Sequence, residues 1–188
     1  MDIVNTQQRQ KIHPHKFLLW VAIGSIIMMF AGLTSAYIVK SNQANWIEVQ
    51  MPKLFFVSTA VIILSSVTMQ MALRNFKQRE MMQYRRLLIT TFALGIAFVI
   101  LQYLGFKWLW DNGVHFKGAG AGQFLYIIAG LHALHVVGGI VALLIMAAKA
   151  FLSNTRSYNS VPVEVMTTYW HFVDILWLYL LIFFIWIK

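Results

Sequence analysis

Two pairs of ionisable residues stand inside otherwise apolar stretches of this sequence. His171 and Asp174 lie three residues apart in TTYWHFVDILWLYLL, and His132 and His135 lie three apart in GLHALHVVGG. Residues at this spacing share a face of a helix, and imidazole and carboxylate groups can bind metals or carry protons. Which chemistry is available depends on what surrounds the two pairs, and therefore on the elements that carry them.

The composition is that of an integral membrane protein. Of the 188 residues, 60% are hydrophobic and 11% are charged, whereas roughly 25% are charged in an ordinary soluble domain. A helix needs about 20 apolar residues to cross a bilayer, and the apolar runs lack the alternation of membrane β-strands. The sequence therefore predicts an all-α fold with one membrane domain over 1–188, a bundle of five transmembrane helices at about 17–39, 54–73, 87–106, 124–148 and 165–187.

Simple features exclude several other classes of protein. The chain has no cysteine, which excludes disulfides, thiolate metal sites, iron-sulfur clusters and covalent haem attachment through CxxCH. The first apolar run is longer than the about 7 to 15 residues of a secretory signal, so we expect it to be a retained helix. The net charge of +9 comes from residues that flank the helices, which indicates membrane topology and argues against nucleic-acid binding.

The basic residues also predict the orientation in the membrane. Cytoplasmic segments carry the excess of Lys and Arg, and ten of the 15 basic residues lie on the side of the N-terminus. We therefore expect the N-terminus inside and the C-terminus outside. The ten residues are Arg9, Lys11, Lys16, Arg74, Lys77, Arg79, Arg85, Arg86, Lys149 and Arg156.

The predicted helices bring the two polar pairs to a similar depth. At about 1.5 Å per residue, His132 and His135 lie roughly 12 and 16 Å from the outer end of the fourth helix. By the same rise, His171 and Asp174 lie roughly 9 and 13 Å from the inner end of the fifth helix. Glu164 continues their stripe toward that end. Because an Asp at a helix centre costs on the order of 2.5 to 3.5 kcal/mol, we expect Asp174 to face a partner on the fourth helix.

Several functions compete for these residues. A b-type haem cytochrome would use His132 or His135 with His171, whereas the Glu-x-x-His pairs of di-iron bundles are absent. A proton relay would need ionisable residues beyond His132 toward the outer side, and a small transporter would be expected to show repeated halves; the sequence has neither. We favour a structural polar network between the fourth and fifth helices, with Gly138 and Gly139 allowing close approach, and no catalytic, cofactor-binding or metal-binding residue. The predicted network is His132, His135, Glu164, His171 and Asp174.

The same stretches resemble a known family. TTYWHFVDILWLYLL and GLHALHVVGG resemble helices of subunit III of the haem-copper terminal oxidases, that is, cytochrome c oxidase subunit III and its quinol oxidase relatives. GSIIMMFAGLTSAYIV resembles the first helix that this family shares, and the resemblance covers nearly the whole chain. It implies that the five residues of the predicted network occupy characteristic polar positions, with Tyr169 and Trp170 beside them, and that none of them binds a redox metal.

The resemblance implies an accessory, non-redox subunit of a proton-pumping oxygen reductase in the bacterial cytoplasmic membrane. Haem and copper would be held by the partner subunits I and II. This chain would pack mainly against subunit I, stabilise it, bind phospholipid, and support proton uptake and oxygen access in aerobic respiratory electron transport. The sequence does not distinguish cytochrome c from quinol as the electron donor, and it leaves open whether the oxidase joins a larger respiratory supercomplex.

Two departures from the family pattern limit what the resemblance implies. The long family form has seven helices and this chain matches the last five, so it resembles the short bacterial form. The lipid cleft that the first two helices help to build is then absent or completed by another subunit. The family often has a buried Glu after the Ser of the first shared helix, whereas Ile26 follows Ser25 here. No role in proton uptake is assigned to that position.

Overall fold

Five α-helices make up the regular structure of the residues that the computed structural model describes, which are 14–41, 51–113, 121–152 and 160–187. All five helices are long and apolar enough to cross a membrane, so the predicted all-α membrane fold is confirmed. Five of the basic residues that were counted to predict the orientation lie outside the described residues: Arg9, Lys11, Lys117, Arg156 and Lys188. The helices are α1 (Pro14–Ser41), α2 (Leu54–Lys77), α3 (Met81–Asp111), α4 (Ala121–Leu152) and α5 (Val161–Trp186).

Most helices extend beyond the apolar runs that predicted them. The largest difference is in α3, which begins at Met81 and ends at Asp111, whereas the apolar run covers 87–106. The added residues include Gln83, Arg85 and Arg86, whose straight side chains favour a helix. An apolar run therefore marks the part of a helix that the bilayer covers, and the helix ends where a turn or a cap stops it.

A tight turn joins α2 to α3. Arg79 has a positive φ of 64°, its N–H donates to the carbonyl of Phe76, and the N–H of Glu80 donates to the carbonyl of Asn75. This pattern is a Schellman motif, in which the left-handed position is usually glycine. The turn makes α2 and α3 antiparallel neighbours along their length.

The helix α5 lies at the centre of the bundle. It contacts α1, α2 and α4, while α3 bridges α2 and α4, and α1 packs against both α4 and α5. Half of the apolar window of α5 is buried, against 22% in α1. A side chain of α5 can therefore face several neighbouring helices, and its depth in the membrane does not decide which.

The indole of Trp170 fixes how closely the central helices approach. It is 1% exposed and lies against two glycines, Gly95 of α3 and Gly139 of α4, where an added Cβ would be 3.0 Å from an indole carbon in each case. Gly139 thus serves the close approach expected of it. Gly138 is exposed, and a Cβ there would meet no atom within 4 Å, because it lies on the outer side of α4.

Candidate functional site: the polar groups around α5

A row of α5 side chains bonds to hydroxyl groups of α2. Trp170 Nε1 donates to Ser65 Oγ at 3.1 Å, and Trp177 Nε1 donates to Thr59 Oγ1 at 3.0 Å. An indole has only this one donor, so both indoles are fully satisfied by the neighbouring helix. These two bonds connect α5 to α2 at positions two turns apart.

His171 lies between these two indoles in the sequence and has both ring nitrogens bonded to α2. Its Nε2 pairs with Gln70 Oε1 at 3.1 Å, and its Nδ1 pairs with the Ser66 hydroxyl. An amide oxygen only accepts hydrogen bonds, so Nε2 carries a proton and donates to Gln70. Both ring nitrogens are therefore engaged by α2, which orients the histidine.

Glu164 joins three helices near one end of the bundle. Its carboxylate oxygens lie 2.7 Å from Lys16 Nζ of α1 and 3.0 Å from Lys77 Nζ of α2. The two lysine side chains are 43% and 54% exposed, so each pair is worth about 0.2 to 1 kcal/mol. The beginnings of α1 and α5 and the end of α2 therefore lie on the same side of the membrane.

His132 has surroundings of the opposite kind. It is 2% exposed, and neither ring nitrogen has a hydrogen-bond partner among the described residues. Its ring stacks on Trp177 at 5.3 Å between centroids, and the rings of Phe30 and Phe98 meet it edge-on at 6.4 Å. The imidazole of His132 is therefore packed as one ring of an aromatic cluster.

His135, one turn along α4, is bonded within its own helix. Its Nδ1 pairs with the carbonyl of Leu131 at 2.7 Å, which requires a proton on Nδ1 because a carbonyl only accepts. The hydroxyl of Tyr169 on α5 donates to the carbonyl of His135 at 3.0 Å. The hydrogen bond from Tyr169 of α5 to α4 thus uses the backbone carbonyl of His135, and the imidazole of His135 takes no part in it.

Asp174, like His132, has no hydrogen-bond partner among the described residues. It is 4% exposed, and within the described parts of the chain no group bonds to either carboxylate oxygen in hydrogen-bond geometry. Ser66 lies next to this carboxyl, but its hydroxyl is engaged by His171. Because an unpaired buried carboxylate is costly, Asp174 is the position in α5 that most needs a further partner.

The structure gives the five predicted residues partners different from those expected. Among the described residues, no hydrogen bond or ion pair joins any two of their side chains; His171 reaches α2, and Glu164 reaches α1 and α2. Shared depth led to the expectation of direct bonds between α4 and α5, but α5 turns its polar stripe toward the hydroxyl groups of α2. The structural role of the five residues stays a prediction.

The sequence reasoning missed the polar stripe of α2. It includes five residues that bond to α3 or α5: Ser58, Thr59, Ser65, Ser66 and Gln70. A signal was present, because the serine and threonine pairs at 58–59 and 65–66 recur after seven residues, which is about two helical turns. Single hydroxyl residues are common in membrane helices, and only their repetition on one face marks this interface.

The histidines also bear on the metal and haem alternatives. The described ranges contain no group of three or more His, Cys, Asp or Glu residues that could hold a metal ion. His132 is enclosed by aromatic rings, and both nitrogens of His171 are engaged by α2. His171 and His132, one of its two candidate partners in a bis-histidine haem, therefore face different surroundings.

Comparison with known proteins decides the family. The sequence model of the family described as cytochrome c oxidase subunit III matches residues 16–188, which includes all five helices except the first two residues of α1. The chain belongs to the cytochrome c oxidase subunit III family. It is an accessory subunit of a haem-copper oxidase, as the resemblance implied.

Three relatives show how far the similarity extends. The probable cytochrome c oxidase subunit 3 of Nocardia farcinica is 32% identical over 181 residues, 90% of this chain and 89% of the relative. Its namesake in Mycobacterium tuberculosis is 32% identical over 167 residues, 86% of this chain and 81% of the relative. The cytochrome c oxidase subunit 3 of Bacillus sp. strain PS3 is 26% identical over 172 residues, 88% of this chain and 83% of the relative.

Proposed function

We propose that this subunit III packs beside subunit I of its oxidase, contacts subunit II, and stabilises the core that carries haem and copper. It has no redox centre of its own in this proposal. The observation that carries it is the use of the polar groups of α5 inside the bundle: two indoles and His171 bond to α2, and Glu164 bonds to Lys16 and Lys77. These groups then act as architecture, and His171 and Glu164 of the predicted network orient α5.

The outer surface supports the same proposal. Large apolar side chains are exposed on every helix, including Met28, Val67, Tyr103, Leu134 and Ile182. Such a surface is suited to lipid and to the apolar flank of another membrane subunit. We propose that part of it binds subunit I, that part of it binds phospholipid, and that the assembled complex thereby supports proton uptake and oxygen access.

The membrane and the orientation are part of the proposal. The relatives named above are bacterial, which supports a bacterial cytoplasmic membrane. Lys16, Lys77 and Glu164 place the beginnings of α1 and α5 and the end of α2 on one side, the side that the basic residues assign to the cytoplasm. The N-terminus is then inside and the C-terminus outside.

Affinity capture of the full-length chain from gently solubilised native membranes tests this function. Haem-bearing and copper-bearing subunits should copurify with the chain. The haem absorption of the solubilised extract should fall as the chain is captured from it. Membranes that lack only this chain should keep the haem spectrum but lose oxygen-reduction activity faster during turnover. Capture of the folded chain without any haem-bearing partner contradicts the proposal.

A further inference from the structure

The hydroxyl of Ser66 on α2 has two ionisable neighbours on α5. It pairs with Nδ1 of His171, and it also lies next to the carboxyl of Asp174. His171 and Asp174 are three residues apart, so they share a face of their helix. Asp174 is 4% exposed, and Ser66 is thus the hydroxyl through which its carboxyl is connected to the imidazole.

The number of protons in this group follows from its hydrogen bonds. Nε2 of His171 donates to Gln70, and a serine hydroxyl has one proton to donate. If Ser66 donates to Nδ1, Asp174 is paired only when it is protonated and donates to Ser66. If Ser66 donates to an ionised Asp174, Nδ1 is paired only when it carries a proton of its own. Full pairing therefore needs one proton more than a neutral imidazole and a carboxylate hold.

A cavity between α1, α2 and α5 connects this group to one end of the bundle. Its volume is about 360 Å³, and its lining includes Lys16, Trp20, Gln70, Glu164 and His171. A polar cavity of this size has room for several water molecules. Its charged end is the one that the basic residues assign to the cytoplasm. Water can therefore exchange protons with the imidazole from that side.

We propose that Ser66, His171 and Asp174 form a proton-binding site that fills and empties through this cavity. A proton from water binds Nε2 of His171, the Nδ1 proton passes to Ser66, and the hydroxyl proton of Ser66 passes to Asp174. His171 and Ser66 end neutral, and the bound proton stays on Asp174 because a buried pair of charges is costly. Release reverses these steps, and the Gln70 amide then turns to donate to the bare Nε2.

The other ionisable groups around α5 do not extend the site toward the outer side. Lys16 of α1 and Lys77 of α2 pair with Glu164. On α4, His132 lies in the aromatic cluster and His135 is bonded within its own helix. The apolar run of α3 has no charged residue. The site thus stores a proton from one side, which gives the proposed support of proton uptake a location and in that respect rests on the proposed function.

Infrared spectroscopy of the full-length chain in lipid nanodiscs tests the site. A protonated carboxyl has a C=O stretching band that a carboxylate lacks, and Asp174 is the one acidic residue within the five predicted apolar runs. The band of a buried acid should be present near neutral pH and absent in Asp174→Asn. Transfer into D₂O should shift this band as the bound proton exchanges through His171 and Ser66.

Two variants of equal size separate the hydroxyl of Ser66 from its volume. Ser66→Val should slow the shift in D₂O by about tenfold or more, because exchange then waits for local opening of the helices. Ser66→Thr keeps a hydroxyl and should keep the wild-type rate. Ser65→Ala is the control at the neighbouring position, where the hydroxyl accepts from Trp170 instead; it should exchange like wild type. If Ser66→Val does not fold, Ser66→Ala removes the hydroxyl with a smaller side chain.

Several results overturn the site. They are the lack of a buried-acid band near neutral pH, a band that persists in Asp174→Asn, and equal exchange rates in Ser66→Val and Ser66→Thr. Equal slowing in Ser65→Ala would also do so, because packing and not the hydroxyl of Ser66 would then set the rate. These results concern a proton bound by this chain, so copurification with a haem-bearing partner can succeed or fail independently of them.

Discussion

His171 in α5 is partly buried and His132 in α4 is fully buried, and the two imidazoles have opposite kinds of neighbours. His171 has a partner on each nitrogen, both from α2, whereas His132 has none among the described residues and is enclosed by aromatic rings. A bilayer gives no hydrophobic force that draws helices together, so packing and interhelical hydrogen bonds must do so. The difference teaches that an imidazole in a membrane helix can orient that helix or fill space, and its neighbours decide which.

Trp177 takes part in the aromatic cluster around His132 and in the hydrogen bonds between α5 and α2, because it stacks on His132 and donates to Thr59. Trp177→Ala should have the largest effect, lowering the free energy of unfolding by about 3 to 5 kcal/mol through the cavity it leaves. Trp177→Phe keeps most of the ring and should cost about 1 kcal/mol for the lost hydrogen bond. Unfolding in mixed micelles measures both.

The control for Trp177 is Trp186→Ala on the same helix. Trp186 is 84% exposed, so its loss should change the free energy of unfolding by less than about 0.5 kcal/mol. Equal losses in the two alanine variants would mean that the aromatic cluster around His132 does not hold the bundle together.

Gly139→Leu tests the wedge formed by Trp170. The added side chain would begin 3.0 Å from the indole, and overpacking of this kind costs about 1 to 3 kcal/mol. Gly138→Leu, at the neighbouring exposed position, should be nearly neutral because no atom lies within 4 Å of its added Cβ. The thermal unfolding temperatures of the two variants in one detergent make the comparison, and a larger loss for Gly138→Leu would contradict this packing.

Glu164→Gln should have a smaller effect. It weakens two partly exposed ion pairs, to Lys16 and Lys77, and should cost about 0.2 to 1 kcal/mol per pair. Salt screens such pairs, so the difference between wild type and variant should shrink when unfolding is measured at high salt. A difference that does not depend on salt would assign Glu164 a role other than these pairs.

The sequence was sufficient for the helices and for the family but not for the polar contacts. Apolar length predicts where Phe17 to Val39 must cross the bilayer, because the bilayer thickness sets that length. It does not predict which neighbour His171 faces, since α5 packs against three helices and its side chains also reach α3. The direction of a polar stripe depends on the packing of Trp170 between Gly95 and Gly139, which involves residues far apart in the chain.

The most direct test compares His171→Leu with His132→Phe in the same unfolding assay, without added ligand. His171→Leu should lower the free energy of unfolding by about 1 to 3 kcal/mol, because Gln70 and Ser66 lose their partner in the bundle. His132→Phe should be neutral or stabilising, because it replaces an unpaired polar ring by an apolar one. The opposite order, with His132→Phe the more damaging change, would contradict the division between an imidazole that orients α5 and one that fills space.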